Sequence, residues 1–217
     1  MKIGILGTGL VGRTLGDKFL QLGHSVTIGS RGQANPEVKA WAEAGGENAA
    51  LGTFAVAAEF GELVFNATSG TGSLEAIGSC PAESVDGKVL VDVSNPLDFS
   101  RGFPPTLAVS NDDSLGERIQ AAHPAVLVVK TFNTLSANVM VNPSLVPGHH
   151  NVFLSGNHAA AKASVADLQH SMGWPREDII DLGDITTSRG TEMYLPLWLR
   201  LFGALGAPNF NISVVRG

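Results

Sequence analysis

The chain has 217 residues, 44% of them hydrophobic and 16% charged, with 26 glycines, a composition that excludes disorder and favours a compact, turn-rich chain. A formal net charge of −6 without any Lys/Arg cluster excludes a nucleic-acid partner, because phosphate backbones are held by grouped cations. The single cysteine, Cys80, excludes a disulfide or a cysteine metal site within one chain and is expected to serve packing.

In chain order, short apolar runs are predicted as strands at 3–6, 25–28, 63–66, 89–93, 126–129, 151–154 and 179–181, with a weaker one at 48–51. Their continuous apolar character is that of parallel strands covered on both faces. Val11, Leu15, Phe19 and Leu22 recur at helical spacing between the first two, so the chain opens with a βαβ unit. A Pro-, Ser- and Asn-rich loop is expected over 95–113, where a strand end would present it to substrate. A second irregular stretch, 142–150, suggests a boundary near 145 between a nucleotide domain (1–145) and a small C-terminal substrate or dimerisation region (146–217). His149 and His150 fall in that stretch and read as solvated. Beyond it the pattern predicts a helix over 158–172, a long helix over 185–203 and a last strand over 210–215.

Gly7-Thr8-Gly9-Leu10-Val11-Gly12 is a G-x-G-x-x-G run directly after a strand and opening a helix. The first glycine permits the tight turn, the second lets a pyrophosphate approach the backbone, and the third lets helix pack on strand. Residues 7–14 also fit a P-loop whose lysine is replaced by Arg13, but a guanidinium fork cannot curl over β- and γ-phosphates as an ammonium does. The expected fold is therefore a doubly wound, mainly parallel α/β sheet of the Rossmann type with a small C-terminal α/β extension.

No acid lies between Asp17 and Glu37, where an NAD site would place one on the ribose 2′-hydroxyl. The second strand runs instead into Ser30-Arg31, a hydroxyl and a guanidinium suited to a 2′-phosphate, so NADP(H) is the expected cofactor. Thr68 and Ser69 after the next central strand are placed to bond a phosphate or ribose. Asn95 and Pro96 shape the floor near the nicotinamide, or serve only as a turn.

The polar break 129–137 forms a third wall, in which Asn133 is the candidate to donate to an oxygen of the acceptor and Ser136 caps a helix. No G-x-S-x-G, no H-E-x-x-H and no spaced His/acid set is present, so no metal is expected. An acid-poor crevice can still transfer hydride by proximity and orientation to an acceptor that carries its own charge sink.

With these segments in view the sequence resembles the NADPH-dependent reductases of the deazaflavin coenzyme F-420 and their bacterial NADP oxidoreductase relatives, over essentially its whole length. The segments that carry the likeness are 7–12, Ser30-Arg31, 93–102, 129–137 and Thr187-Ser188-Arg189-Gly190-Thr191-Glu192. The resemblance implies that Thr8 to Val11 meet the pyrophosphate, that Ser30 and Arg31 meet the 2′-phosphate, and that Ala137 lies against the nicotinamide. It also implies a deazaflavin stacked over the nicotinamide in a cleft closed by the C-terminal part, and allows a homodimer. A related fingerprint occurs in the cytoplasmic domain of six-transmembrane metalloreductases.

Leu195, Leu197, Trp198, Leu199, Leu201 and Phe202 cover more than one face of the last helix, which Pro196 is expected to kink or to restart as a new turn, and fit either a dimer contact or core burial. Because the N-terminus enters a strand at once and no apolar run reaches the roughly 20 residues of a membrane span, a cytoplasmic enzyme without a membrane partner is expected. Two alternatives stay open: an NADPH-dependent reductase of a small carbonyl or imine, and a redox sensor that binds NADPH without turning it over.

Overall fold

The computed structural model describes residues 1–32 and 36–217. The first half alternates β1 (Lys2–Leu6), α1 (Leu10–Gln21), β2 (Ser25–Ser30), α2 (Pro36–Gly45), β3 (Ala49–Thr53), α3 (Phe54–Phe60) and β4 (Leu63–Asn66). It continues through α4 (Ser73–Gly78), α5 (Ala82–Val85), β5 (Val89–Asp92), a hairpin of β6 (Leu97–Asp98) and β7 (Thr106–Leu107), α6 (Leu115–Ala122) and β8 (Leu127–Thr131). The last part holds α7 (Ala137–Val141), β9 (Val152–Ser155), α8 (Ala159–Ser171), β10 (Ile179–Asp181), α9 (Ser188–Met193) and α10 (Leu195–Leu205).

Among the described residues, eight strands form one sheet in the order β10-β9-β8-β5-β4-β1-β2-β3. All neighbours are parallel except β8 and β9, so the predicted doubly wound α/β sheet is present. β9 and β10 carry the sheet past residue 145, and the segment 146–217 therefore shares it with what precedes. No helix among the described residues is long and apolar enough to cross a membrane.

Alternation along the strands splits the core in two. Ile3, Ile5, Phe65, Val91 and Val129 pack with Leu15 and Phe19 of α1 on one face. Leu6, Val64, Leu90 and Val128 pack with Ala57, Ile119 and the buried Cys80 on the other. The chain leaves β1 toward β2 and β3, then returns to place β4 on β1's other side, which opens a crevice at the carboxyl ends of β1 and β4.

Four expectations need correction. The loop over 95–113 contains the β6–β7 hairpin, with Leu97 opposite Leu107 and Asp98 opposite Thr106. The helix over 185–203 is broken into a 3-10 turn, α9 and α10, because Pro196 starts a new helix. The segment 210–215 is no strand: the Asn151 N–H donates one backbone bond to the Ile212 carbonyl (2.9 Å), but the Asn151 side-chain oxygen accepts the Val214 N–H (2.7 Å) and ends the ladder. His150 is buried rather than solvated, edge-on to Trp174 and bonded to the Pro143 carbonyl at 3.0 Å, whereas His149 is exposed.

Candidate functional site

The site begins with the turn after β1. Gly7 has φ +121°, and a Cβ there would overlap the Ala67 carbonyl. A Cβ on Gly12 would overlap the Gly7 carbonyl, so this glycine sets how closely α1 packs on β1. A Cβ on Gly9 would meet no atom within 4 Å: the space above it is open. Gly9 caps α1 without a side-chain bond, and the first turn of α1 carries no acid, which leaves its N–H groups and positive end facing that space. Arg13 does not point at a phosphate cradle. It donates to the Thr8 carbonyl at 2.8 Å and pairs with Glu37 at 2.5 Å, bracing the loop from behind.

Two adjoining hollows share the wall Ala67, Thr68 and Ser69 at the end of β4. The first is bounded by Gly7, Thr8, Gly9, Ser30 and Arg31, together with Phe54 and Ala76. Thus the glycine turn, Thr68, Ser69 and the Ser-Arg pair meet in one groove, although they come from the ends of three strands. The residues fit a dinucleotide: an uncapped helix end for a diphosphate and an exposed guanidinium beyond it for a further phosphate. The Ser30 hydroxyl donates to the Gly32 carbonyl at 2.7 Å, so it must turn that hydrogen to serve an anion.

The second hollow is bounded by Val11, Val93, Ser94, Asn95, Leu97 and Phe99. None of the described residues lining it is titratable. Asn95 is held by a mutual clasp: its Nδ2 donates to the Asn133 carbonyl at 2.8 Å, and Asn133 Nδ2 donates to Asn95 Oδ1 at 3.0 Å. Asn133 is itself buried and follows Phe132, whose φ of +61° and the Asn133 N–H to Thr131 carbonyl bond of 2.7 Å make a strained γ-turn. Ser136 starts α7 without a side-chain capping bond, so its predicted capping role is absent. Leu10 is exposed beside the glycine turn, while Pro96, Ala137 and Asn133 line neither hollow.

Sequence reasoning missed Phe54, Ala76 and Phe99. Phe54 and Ala76 reach the groove from α3 and α4, and nothing local marks them. Phe99 carried a signal, an aromatic ring in a polar stretch, and it is 58% exposed. Beneath the shared wall, Thr68 Oγ1 donates to Asn66 Oδ1 at 2.7 Å, and Asn66 Nδ2 donates to Asp92 Oδ1 at 2.8 Å, so a buried polar layer supports the crevice floor.

Residues 2–96 match the family model described as NADP oxidoreductase, coenzyme F420-dependent. A crystal structure described as a candidate F420-dependent NADP reductase from Arthrobacter sp. FB24 is 52% identical, with a TM-score of 0.93 and both chains covered in full. The rat metalloreductase STEAP3 is 30% identical over 229 residues, 99% of this chain but 43% of that protein, so the chain spans less than half of that relative's length. A reductive aminase from Aspergillus terreus, solved with NADPH4, is 20% identical with a TM-score of 0.63 over 94% of this chain and 62% of that one, a likeness of fold alone. The groove, its phosphate-ready helix end and these likenesses converge: the chain belongs to the coenzyme F420-dependent NADP oxidoreductase family and is an NADP-dependent oxidoreductase.

Proposed function

We propose that the enzyme transfers hydride between NADP(H) and a deazaflavin or flavin-like ring, with the pyrophosphate on Thr8 to Val11, the 2′-phosphate on Ser30 and Arg31, and the nicotinamide end toward Asn95 and Ala137. NADPH, when bound, supplies the hydride. The observation that carries the acceptor assignment is the lining of the second hollow: apolar side chains, hydroxyls and one amide, with no acid or base among the described residues. Reduction of a carbonyl or imine needs a proton delivered to oxygen or nitrogen, normally from a positioned side chain. A conjugated ring that spreads the incoming charge over its own atoms needs only to be held close and parallel. Val11, Val93, Leu97 and Phe99 offer that ring an apolar bed, Thr68 and Ser69 separate it from the dinucleotide groove, and Asn133 holds Asn95 in place rather than acting as an acid.

Two features support further parts of this reading. Leu197 and Leu205 of α10 are exposed in the single chain, which favours a homodimer through that helix. The lone cysteine is buried, which suits a reducing cytoplasm.

The test is a comparison of acceptors. Purified protein with NADPH is offered 5-deazariboflavin, FMN, a cyclic imine and a ketone under anaerobic conditions while the nicotinamide absorbance is followed. Fastest oxidation with the deazaflavin is expected. Preference for the imine or ketone, or no turnover with any of them, overturns the assignment. In parallel, Arg31→Ala is expected to weaken NADPH binding by about 1.5–3 kcal/mol, the worth of a hydrogen bond to a charged group, and to leave NADH binding unchanged.

A further inference from the structure

The segment Thr187 to Glu192 contributes nothing to either hollow, yet it delivers a carboxylate into the centre of the molecule. The register of the sheet sets Asn66 beside Asp92 and Asp92 beside Lys130, at the carboxyl ends of β4, β5 and β8. Alternation puts Lys130 on the same strand face as Val128, the face that α6 covers. Lys130 is fully buried, and all three of its donors are spent: on Asp92 Oδ2 at 2.8 Å, on the Ser94 carbonyl at 2.7 Å and on Glu192 Oε1 at 2.8 Å. Glu192 accepts two more bonds from the opening of α6, the Leu115 N–H at 2.8 Å and the Gly116 N–H at 3.0 Å. Asp92 Oδ1 meanwhile receives the Ser94 N–H at 3.1 Å and the Ser94 hydroxyl at 2.6 Å.

Ser94 is therefore gripped at its N–H, its hydroxyl and its carbonyl by one ionic layer, and both Ser94 and the next residue, Asn95, line the crevice. Stability alone does not account for the layer, since apolar side chains of equal volume commonly replace a buried ion cluster without loss. What such side chains cannot do is aim bonds at the Ser94 backbone. We propose that Lys130 and Glu192 are positioning residues, which through the Glu192–Lys130–Asp92 bridge fix Ser94 and Asn95 so that the crevice holds the nicotinamide end of the dinucleotide in one orientation. This rests on the placement of the nicotinamide proposed above. Burial pulls the Lys130 ammonium toward neutrality, but Asp92 and Glu192 more than offset it and hold its pKa above the ordinary lysine value, so the ammonium keeps its proton through the neutral range.

The experiment uses the full chain, two variants of the ionic layer and one control variant. Lys130→Met/Glu192→Gln removes one positive and one negative charge and so leaves the net charge of the layer unchanged. Glu192→Gln alone is the milder change and serves if the double variant does not fold. Arg189→Gln is the control, because Arg189 ties α9 to Glu117 of α6 without touching the ionic layer. Three quantities are read: the NADPH dissociation constant, the fluorescence lifetime of the bound nicotinamide, and the single-turnover rate with 5-deazariboflavin.

Both layer variants are expected to keep the wild-type dissociation constant, to shorten the lifetime, and to slow transfer by roughly 10- to 100-fold, the cost of ångström-scale misplacement. The control is expected to match the wild type in all three. A wild-type lifetime in the layer variants, or equal shortening in the control, overturns the proposal. The lifetime needs no acceptor, so failure to find turnover sinks the acceptor assignment and leaves this test standing.

Discussion

Asn95 and Asn133 clasp one another just beyond the ends of β5 and β8, each amide nitrogen donating to an oxygen of the other residue, at 2.8 and 3.0 Å. An amide in this role is neutral at every working pH, and Asn133 holds it in a buried position. Asn133→Ala removes the partner of Asn95 Oδ1 while the backbone carbonyl remains. A loss of about 0.5–1.5 kcal/mol is expected, the net worth of one hydrogen bond whose acceptor is partly open to water, read as a lowered denaturation midpoint. The rate should fall with no new inflection in its pH profile. An inflection that vanishes in the variant would mean that the amide acts through a titrating neighbour.

The glycines separate binding from folding. Gly9 has φ −72° and ψ −177°, extended backbone open to any residue, and a Cβ there projects into free space. Gly9→Ala is expected to change stability by no more than about 0.5 kcal/mol while weakening NADPH binding, since the added methyl stands where a diphosphate would lie. Gly12→Ala forces the methyl against the Gly7 carbonyl, and overpacking of this kind costs about 1–3 kcal/mol. Thermal melting with and without NADPH distinguishes the two, and equal destabilisation by both would refute the assignment of their roles.

The nucleotide half of the site was legible because its chemistry is local. A βαβ unit fixes Gly7, Gly9, Gly12, Ser30 and Arg31 relative to one another within thirty-one residues, and periodicity alone locates its strands. The acceptor half was legible only as a set of loops. Phe99 enters through a hairpin whose strands are two residues each, too short to leave a period-2 signal. The partnership of Lys130 with Glu192 spans 62 positions and is created by the docking of α9 on α6, which itself packs on β8, and no local pattern encodes that. The broken helix at Pro196 was partly legible, since proline is tolerated in a first turn and not in an interior.

Phe99 is expected to decide how tightly the acceptor binds. Its ring is 58% exposed on the β6–β7 hairpin at the edge of the second hollow. Stacking of a planar heterocycle on an aromatic side chain is worth about 1–3 kcal/mol by alanine substitution. Phe99→Ala should therefore raise the KM for 5-deazariboflavin by roughly five- to hundredfold and leave the NADPH dissociation constant unchanged, while Phe99→Trp retains the stack. An unchanged acceptor KM in Phe99→Ala would place the ring elsewhere.

Acid stability should depend on the pair that docks α9 on α6. Arg189 meets Glu117 through two hydrogen bonds, Nε to Oε2 at 2.8 Å and Nη2 to Oε1 at 2.6 Å. The guanidinium bonds hold the Glu117 carboxyl below the ordinary glutamate value of 4.5, against the opposing effect of burial. A carboxylate whose pKa is depressed in the folded state contributes stability that is fully present above its unfolded value and is lost as the pH falls through its folded value. The wild type should therefore lose part of its stability as the pH drops below 4.5, and Glu117→Gln should start less stable at neutral pH yet lose less over the same acidic interval. Melting temperatures across that interval give the answer: parallel curves for the two proteins would show that Glu117 contributes nothing to the pH dependence.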